Sequence, residues 1–252
     1  MTRPFVPVAL ISFLALLPLA FLGFDSHHNG LMLASAVGVS QGASIHSEVF
    51  TQYGPVTPWS QAVFVWIGGG SALSLGIWAV TITAITAGII ASIPNVAPKG
   101  MGITHRISIP SAILWIVLAP SWGAGNIQAW SSLLASAIIL SACFFGLLGL
   151  KRRQRDSATN IPLLWGFSGA LVGLLPFTRI NVGITYWFLL AVVVAFFWKS
   201  PAWSQSDRRV FVFGWAASAL TVPLALALSG SLWDYIDQSI VGPYLWAVVD
   251  QT

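Results

Sequence analysis

Long apolar runs, separated by short polar or charged segments, extend along the whole chain. A helix needs about 20 apolar residues to cross the hydrocarbon core of a bilayer, and charge-free runs of this order recur along the sequence. We therefore predict an all-α fold, a polytopic bundle of about seven transmembrane helices that forms one membrane domain over residues 1–252. The approximate bounds of the predicted spans are 5–24, 72–93, 107–120, 127–150, 161–177, 182–198 and 210–228.

Glycine and proline residues divide two apolar runs that are too long for a single span. Gly68-Gly69-Gly70 interrupts the run from 61 to 93, so the part before it is expected to lie along the membrane surface and the part after it to cross. The charge-free run between Arg106 and Lys151 would reach roughly 66 Å as one helix, about twice the hydrocarbon core. A turn at 120–126 is therefore expected to divide that run into two spans.

The composition is that of a membrane protein, with 56% hydrophobic residues and only 7% charged residues. Soluble domains usually carry about 25% charged residues. The sequence pI of about 9.6 does not indicate nucleic-acid binding, because the basic residues are scattered between apolar runs instead of forming a patch. Scattered basic residues of this kind are typical of charges that set membrane topology.

The basic residues also predict the orientation of the bundle. With Arg3 in the cytoplasm, alternation of the spans places ten of the 11 Lys and Arg residues on that side, as the positive-inside rule requires. The N-terminus is thus predicted to be cytoplasmic and the C-terminus external. Two polar segments, at about 25–71 and 230–252, then lie on the outer face, and the first is expected to contain interfacial helices. Because the inner connections are short, a functional site is expected on the outer face.

The first outer segment contains most of the residues that could carry chemistry. Asp25 lies where the first span should leave the hydrocarbon, and partial desolvation there raises the pKa of a carboxyl group toward that of a useful base. A polar residue that merely ends a helix would occupy the same position. His27 and His28, with His46 and Glu48, could bind a divalent metal. Their spacing matches no metal motif, and ordinary hydrogen bonds at the interface explain them equally.

Three further features belong to the predicted outer face. The turn that follows the histidines, Gln52-Tyr53-Gly54-Pro55, has the glycine and proline of a tight connection. Arg179 is the one basic residue on that side, and a guanidinium there can bind a phosphate or a carboxylate, or simply anchor a helix end. Asp234 and Asp237 share a helix face beside aromatic residues, an arrangement that suits a sugar ring or an interfacial helix.

Four short segments, in this order along the chain, together resemble bacterial multispanning glycosyltransferases of the GT-C superfamily, of the glycosyltransferase 39 type. They are Asp25-Ser-His-His-Asn-Gly30, Phe50-Thr-Gln-Tyr-Gly-Pro55, Thr178-Arg-Ile-Asn-Val-Gly183 and Tyr235-Ile-Asp-Gln-Ser-Ile-Val-Gly-Pro243. Such enzymes, in the bacterial plasma (inner) membrane, move a sugar from a polyprenyl-phosphate carrier to a glycan or lipid acceptor on the outer face. The superfamily places an acidic residue directly after the first span, so the resemblance implies that Asp25 is the general base.

The resemblance and the charges together give a set of expected substrate-binding residues. They are His27, His28, Glu48, Gln52, Tyr53, Arg179, Asn181 and Asp234. The assignment of Arg179 to the phosphate of the carrier comes from its charge and its predicted side. Polyprenyl donors often need no metal in this superfamily, so neither a metal nor another cofactor is expected. Expected partners are membrane lipid, the donor and the acceptor, without nucleic acid, and a polytopic partner subunit stays open.

Two alternatives to a self-sufficient enzyme remain at this point. Members of the superfamily usually extend well beyond this length, so the sequence fits a short relative, a truncated reading frame or one half of a split enzyme, including a non-catalytic subunit. A transporter of lipid-linked sugars is the other alternative. The predicted spans almost lack the ionisable residues that ion-coupled transport uses, which argues against it.

Overall fold

The computed structural model describes residues 4–22, 28–51, 53–121, 129–154, 160–197, 203–242 and 244. Within these ranges the chain is helical and forms no β-strand, apart from an isolated bridge between Ile45 and Val49. The all-α prediction is therefore confirmed. The helices are α1 (Phe5–Leu16), α2 (His28–Ser40), α3 (Val56–Ile67), α4 (Ala72–Val96), α5 (His105–Ser121), α6 (Ser131–Gln154), α7 (Ile161–Leu174), α8 (Ile180–Phe197), α9 (Gln205–Leu228) and α10 (Leu232–Ile236).

Three of these helices, α4, α6 and α9, are long and apolar enough to cross a membrane. The remaining predicted spans correspond to shorter apolar helices. Two of them, α1 and α7, end in 3-10 turns, Leu17–Phe21 and Leu175–Phe177. The structure thus supports a membrane protein with at least three candidate spans in its described part.

The break predicted at the three consecutive glycines is present between α3 and α4. Gly69 and Gly70 have positive φ angles of 66° and 80°, which glycine adopts without the strain a β-carbon would bring. The turn predicted at 120–126 lies outside the described residues from position 122 onward. The helices on its two sides, α5 and α6, are separate, as predicted.

Helices α7 and α9 pack closely through small residues. A β-carbon on Gly169 would come within 3 Å of the backbone carbonyl oxygen of Phe211, and one on Gly214 would do the same to the carbonyl oxygen of Gly166. The Ser218 hydroxyl also donates a hydrogen bond across the pair to the carbonyl oxygen of Ala170, at 2.7 Å. Small residues that let helix backbones touch are characteristic of packing inside membranes.

Polar contacts join the ends of four helices at one end of the bundle. Lys151 Nζ donates to the carbonyl oxygen of Asn95 at 2.5 Å, which links α6 to the end of α4. Arg153 forms an ion pair with the fully buried Asp207 at 2.5 Å, which links α6 to the start of α9. His105, at the start of α5, also bonds Asn95, at 3.2 Å. We call this the basic end, because it gathers basic residues from several segments predicted to be cytoplasmic.

Candidate functional site

Two of the segments that carry the resemblance are in direct contact. The backbone N–H of Gly54 and the hydroxyl of Thr57 both donate to the carbonyl oxygen of Thr178, each at 3.2 Å. Thr57 and Thr178 are completely or almost completely buried, and they are 121 positions apart in the sequence. The turn before α3 is therefore fixed against the backbone that leads into α8.

The fourth segment is joined to the same region through one glutamine. Gln238 Nε2 donates to the carbonyl oxygen of His46 at 2.6 Å, and Gln238 Oε1 accepts from the N–H of Thr51 at 3.4 Å. The same Oε1 lies 3.1 Å from His46 Nδ1, so this ring nitrogen carries the proton. We call the region where Thr51, Gly54, Thr178 and Gln238 meet the motif end of the bundle.

The charge state of the motif end follows from its burial. Desolvation lowers the pKa of His46, against the smaller opposing effects of the Gln238 hydrogen bond and the Asp234 charge. Burial raises the pKa of Tyr235 to about 12, and its ring lies 5.0 Å from that of His46 in an edge-to-face arrangement. Both side chains are therefore neutral near pH 7. Their contacts hold the segment around His46 against the segment around Tyr235, and neither side chain has a pKa suited to an acid or a base near pH 7.

A small cavity with a mainly apolar lining lies beside this junction, between α2, α3 and the chain from Phe50 to Tyr53. Its volume is about 20 Å³, which is room for about one water molecule and too little for a sugar ring. Hydroxyl groups and one amide supply its polar surface. The lining residues are Leu31, Met32, Ser35, Phe50, Thr51, Tyr53, Thr57, Pro58 and Gln61.

Of the expected substrate-binding residues, Tyr53 and Arg179 lie at this junction. Tyr53 is half-buried and lines the cavity. Arg179 is half-buried and directly follows Thr178, while its backbone N–H donates to the carbonyl oxygen of Leu175 at 3.4 Å. The segment contact at Thr178 thus brings the turn predicted at Tyr53 and the predicted outer arginine to the same end of the bundle.

Three other expected residues have local structural roles. Glu48 Oε2 accepts from the N–H of Ser44 at 2.6 Å and closes a turn. Asn181 is exposed, and its Oδ1 accepts from the N–H of Val182 at 2.8 Å. Asp234 is half-buried whereas Asp237 is exposed, so the two carboxylates expected on one helix face differ in burial.

Asp25, His27 and Gln52 lie outside the described residues, and of His28 only the backbone, at the start of α2, is described. The base assignment of Asp25 therefore stays a prediction. The helix that follows it runs along the cavity, since Met32 and Ser35 of α2 line it together with Tyr53.

The sequence did not single out three polar residues that organise the motif end. Thr178 and Gln238 were quoted only as parts of segments, and their contacts span 121 and up to 192 positions. Gln61 gave a local signal, a long polar side chain inside the apolar run of α3. It is buried, and its Nε2 donates to the carbonyl oxygen of Ala129 at 2.7 Å.

In the described ranges, no three side chains of His, Cys, Asp or Glu lie close enough together to hold a metal ion. No protein-family model, no curated protein and no solved structure matches this chain. The resemblance to the GT-C superfamily thus rests on the four quoted segments alone.

Proposed function

We propose that the protein is a membrane glycosyltransferase of the GT-C type, which moves a sugar from a polyprenyl-phosphate carrier to an acceptor outside the bacterial plasma membrane. One observation carries the proposal. The segments at 50–55, 178–183 and 235–243, which were recognised separately, meet at one end of the bundle through Thr178 and Gln238. This arrangement is compatible with one site built from all three segments.

The proposed topology has seven spans, with the N-terminus in the cytoplasm and the C-terminus outside. The three long helices α4, α6 and α9 supply three of them, and α1, α5, α7 and α8 supply the other four. This topology is supported by the gathering of basic residues at one end, while Arg179 lies at the other. The basic end then faces the cytoplasm, and the motif end faces outward.

In the proposed reaction, Asp25 accepts the proton of the acceptor hydroxyl as its oxygen bonds to the anomeric carbon of the sugar. The bond from that carbon to the carrier phosphate breaks, and its electron pair leaves with the phosphate oxygen. The Arg179 guanidinium stabilises the negative charge that the phosphate gains. Tyr53 and Asp234 are proposed to contact the sugar.

The test is sugar transfer by the purified full chain, from a panel of labelled polyprenyl-phosphate sugars to glycan and lipid acceptors. The Asp25→Asn variant should lose at least about 100-fold in rate, as expected for removal of a general base. Asp156→Asn, which removes a carboxylate from a connection that the proposed topology places in the cytoplasm, is the matched control and should keep the wild-type rate.

Two results would contradict the proposal at different levels. Wild-type transfer by Asp25→Asn would show that Asp25 is not the general base, while the protein would still be a glycosyltransferase. No transfer from any donor, by protein whose unfolding transition shows that it is folded, would reject the enzyme and favour the non-catalytic subunit.

A further inference from the structure

The second outer segment contacts the connector between α2 and α3, residues 41–55, through one helical face. The contacting side chains are those of Ser231, Tyr235 and Gln238, and spacings of four and three positions place them on one side of the chain. Gln238 lies in the π-helical turn that follows α10, a geometry that is rare and recurs at functional sites. It reaches the connector near its end, at Thr51.

Two hydrogen bonds in series run from Gln238 to the backbone of Tyr53. Gln238 Oε1 accepts from the N–H of Thr51 at 3.4 Å, and Thr51 Oγ1 accepts from the N–H of Tyr53 at 3.2 Å. Thr51 is buried, and a hydrogen bond is stronger in a buried, low-dielectric environment than in water. The backbone conformation at Tyr53 therefore depends on a side chain of the second outer segment.

The connector is also fixed on both sides of Tyr53. Before it, the Ser35 hydroxyl of α2 donates to the carbonyl oxygen of Phe50 at 2.9 Å. After it, the N–H of Gly54 donates to the carbonyl oxygen of Thr178 at 3.2 Å. These partners come from different elements, so tertiary contacts set the path of the connector. Between the two fixed points, the bonds that start at Gln238 hold the backbone.

We propose that Gln238 is a positioning residue, which holds Tyr53 in the orientation in which its half-buried ring contacts the transferred sugar. This role rests on the proposed function, and it adds that the second outer segment controls sugar binding through the first. Holding a binding residue in place beforehand removes the cost of ordering it when the ligand binds. Gln238 acts through the backbone of Thr51 and Tyr53 and does not itself touch the sugar.

The first experiment compares the kinetics of sugar transfer by purified full chains, with the labelled polyprenyl-phosphate sugar that the wild type uses. Gln238→Leu removes both hydrogen-bonding groups and keeps a side chain of similar size. We expect KM for this donor to rise about tenfold, the cost of ordering about one residue on binding. The kcat should stay at the wild-type value, because the lost contact contributes equally to ground state and transition state. A purely structural defect would instead lower the amount of active enzyme, and hence kcat, at an unchanged KM.

Variants of Thr51 test the two bonds directly. Thr51→Val removes the hydroxyl at nearly constant shape and should raise KM as Gln238→Leu does, whereas Thr51→Ser keeps the hydroxyl and the wild-type KM. Because both removals break the same connection, the double variant should show less than the product of the two effects. Ser231→Ala changes the same helical face where it contacts the connector at Ser47. It is the matched control and should keep the wild-type KM.

A second measurement does not depend on activity. The chain has four tyrosines, so isotope labelling of tyrosine alone lets NMR follow the exchange of the Tyr53 N–H with deuterium in detergent. Loss of the fixing bonds opens the backbone locally, and exchange at Tyr53 should be at least about tenfold faster in Gln238→Leu. Tyr186, within α8, should exchange as in the wild type.

Three results would overturn the positioning role. They are an unchanged exchange rate at Tyr53 in Gln238→Leu, an unchanged KM beside a faster exchange, and an equal rise of KM in Ser231→Ala, which would indicate general loosening of the outer segments. Absence of transfer by the folded wild type would reject the proposed function instead. Exchange at Tyr53 would then still show whether Gln238 fixes the connector.

Discussion

Gly54 lies so close to Phe177 that a β-carbon at position 54 would come within 3 Å of the carbonyl oxygen of Phe177. The atoms it would meet belong to the backbone, which cannot move aside as a flexible side chain can. The contact between the turn before α3 and the start of α8 is thus possible only with glycine at this position. The two hydrogen bonds to Thr178 depend on the same close approach.

We expect Gly54→Ala to force these two segments apart and to destabilise the protein by about 1–3 kcal/mol, the usual effect of overpacking. The loss should appear as a lower midpoint of thermal unfolding in detergent. Gly30→Ala is the control, because a β-carbon there would meet no atom of the described residues within 4 Å apart from its own helix. Equal midpoints for the two variants would mean that the segments are not held together as described.

The ion pair at the basic end should be sensitive to removal of one partner. Asp207 is fully buried and Arg153 is 37% exposed, so Asp207→Asn leaves an arginine without its carboxylate beside a buried amide. We expect a loss of about 3 kcal/mol in the free energy of unfolding. In a double-mutant cycle with Arg153→Gln, the double variant should lose clearly less unfolding free energy than the sum of the losses in the two single variants. Additive losses would show that the two side chains do not interact.

Acid should weaken the motif end through His46. Desolvation lowers its pKa in the folded protein below the ordinary value of 6.5, so below pH 6.5 the unfolded chain binds more protons than the folded protein. Stability contributed by neutral His46 is therefore complete above pH 6.5 and decreases as the pH falls toward the folded pKa. The neighbouring Asp234 opposes the shift, and Tyr235, with a pKa of about 12, stays neutral.

The check is the unfolding midpoint of wild type and His46→Asn between pH 7.5 and pH 5.5. Asparagine tolerates the positive φ of 71° at this position and does not titrate, so this variant should lose less stability on acidification than wild type. An identical slope in the two proteins would exclude His46 as the source.

The role proposed for Arg179 predicts a loss of activity without a loss of stability. Arg179→Gln should reduce the rate of sugar transfer by about 100- to 1,000-fold, the cost of removing one group that stabilises a transition-state charge. Arg179→Lys should recover part of the rate, because a lysine restores the charge without the paired hydrogen bonds. Unfolding midpoints should match wild type. A full rate in Arg179→Gln would exclude the residue from phosphate binding.

Many helix positions and breaks could be predicted from the sequence, because they depend on neighbouring residues alone. The break before α4 follows from three glycines, whose effect needs no distant partner. The spans at 5–24 and 161–177 were predicted as continuous helices, yet each tightens into a 3-10 turn with a proline among its first residues, Pro18 and Pro176. Proline lacks the N–H that continues an α-helix, and a short 3-10 turn is a common way for a helix to end.

The junctions at the motif end could not be predicted in the same way. Gln238 bonds His46 across 192 positions, and nothing in the local pattern of either segment specifies the other. His46 was considered as a metal ligand because of its residue type. It is buried, and its contacts with Gln238 and Tyr235 join the first outer segment to the second. Burial and long-range partners come from the packing of the whole bundle, which hydropathy alone does not encode.

The close approach of α7 and α9 has a mechanical consequence. Since the backbones touch at Gly169 and Gly214, neither helix can slide along the other without a steric clash, and the two helices move as one rigid unit. Asp207, in the first turn of α9, joins this pair to α6 through its ion pair with Arg153. Just beyond the last turn of α9, the hydroxyl oxygen of Ser231 lies 3.0 Å from that of Ser47. A displacement at one end of this helix pair would therefore be transmitted to the segments that contact its other end.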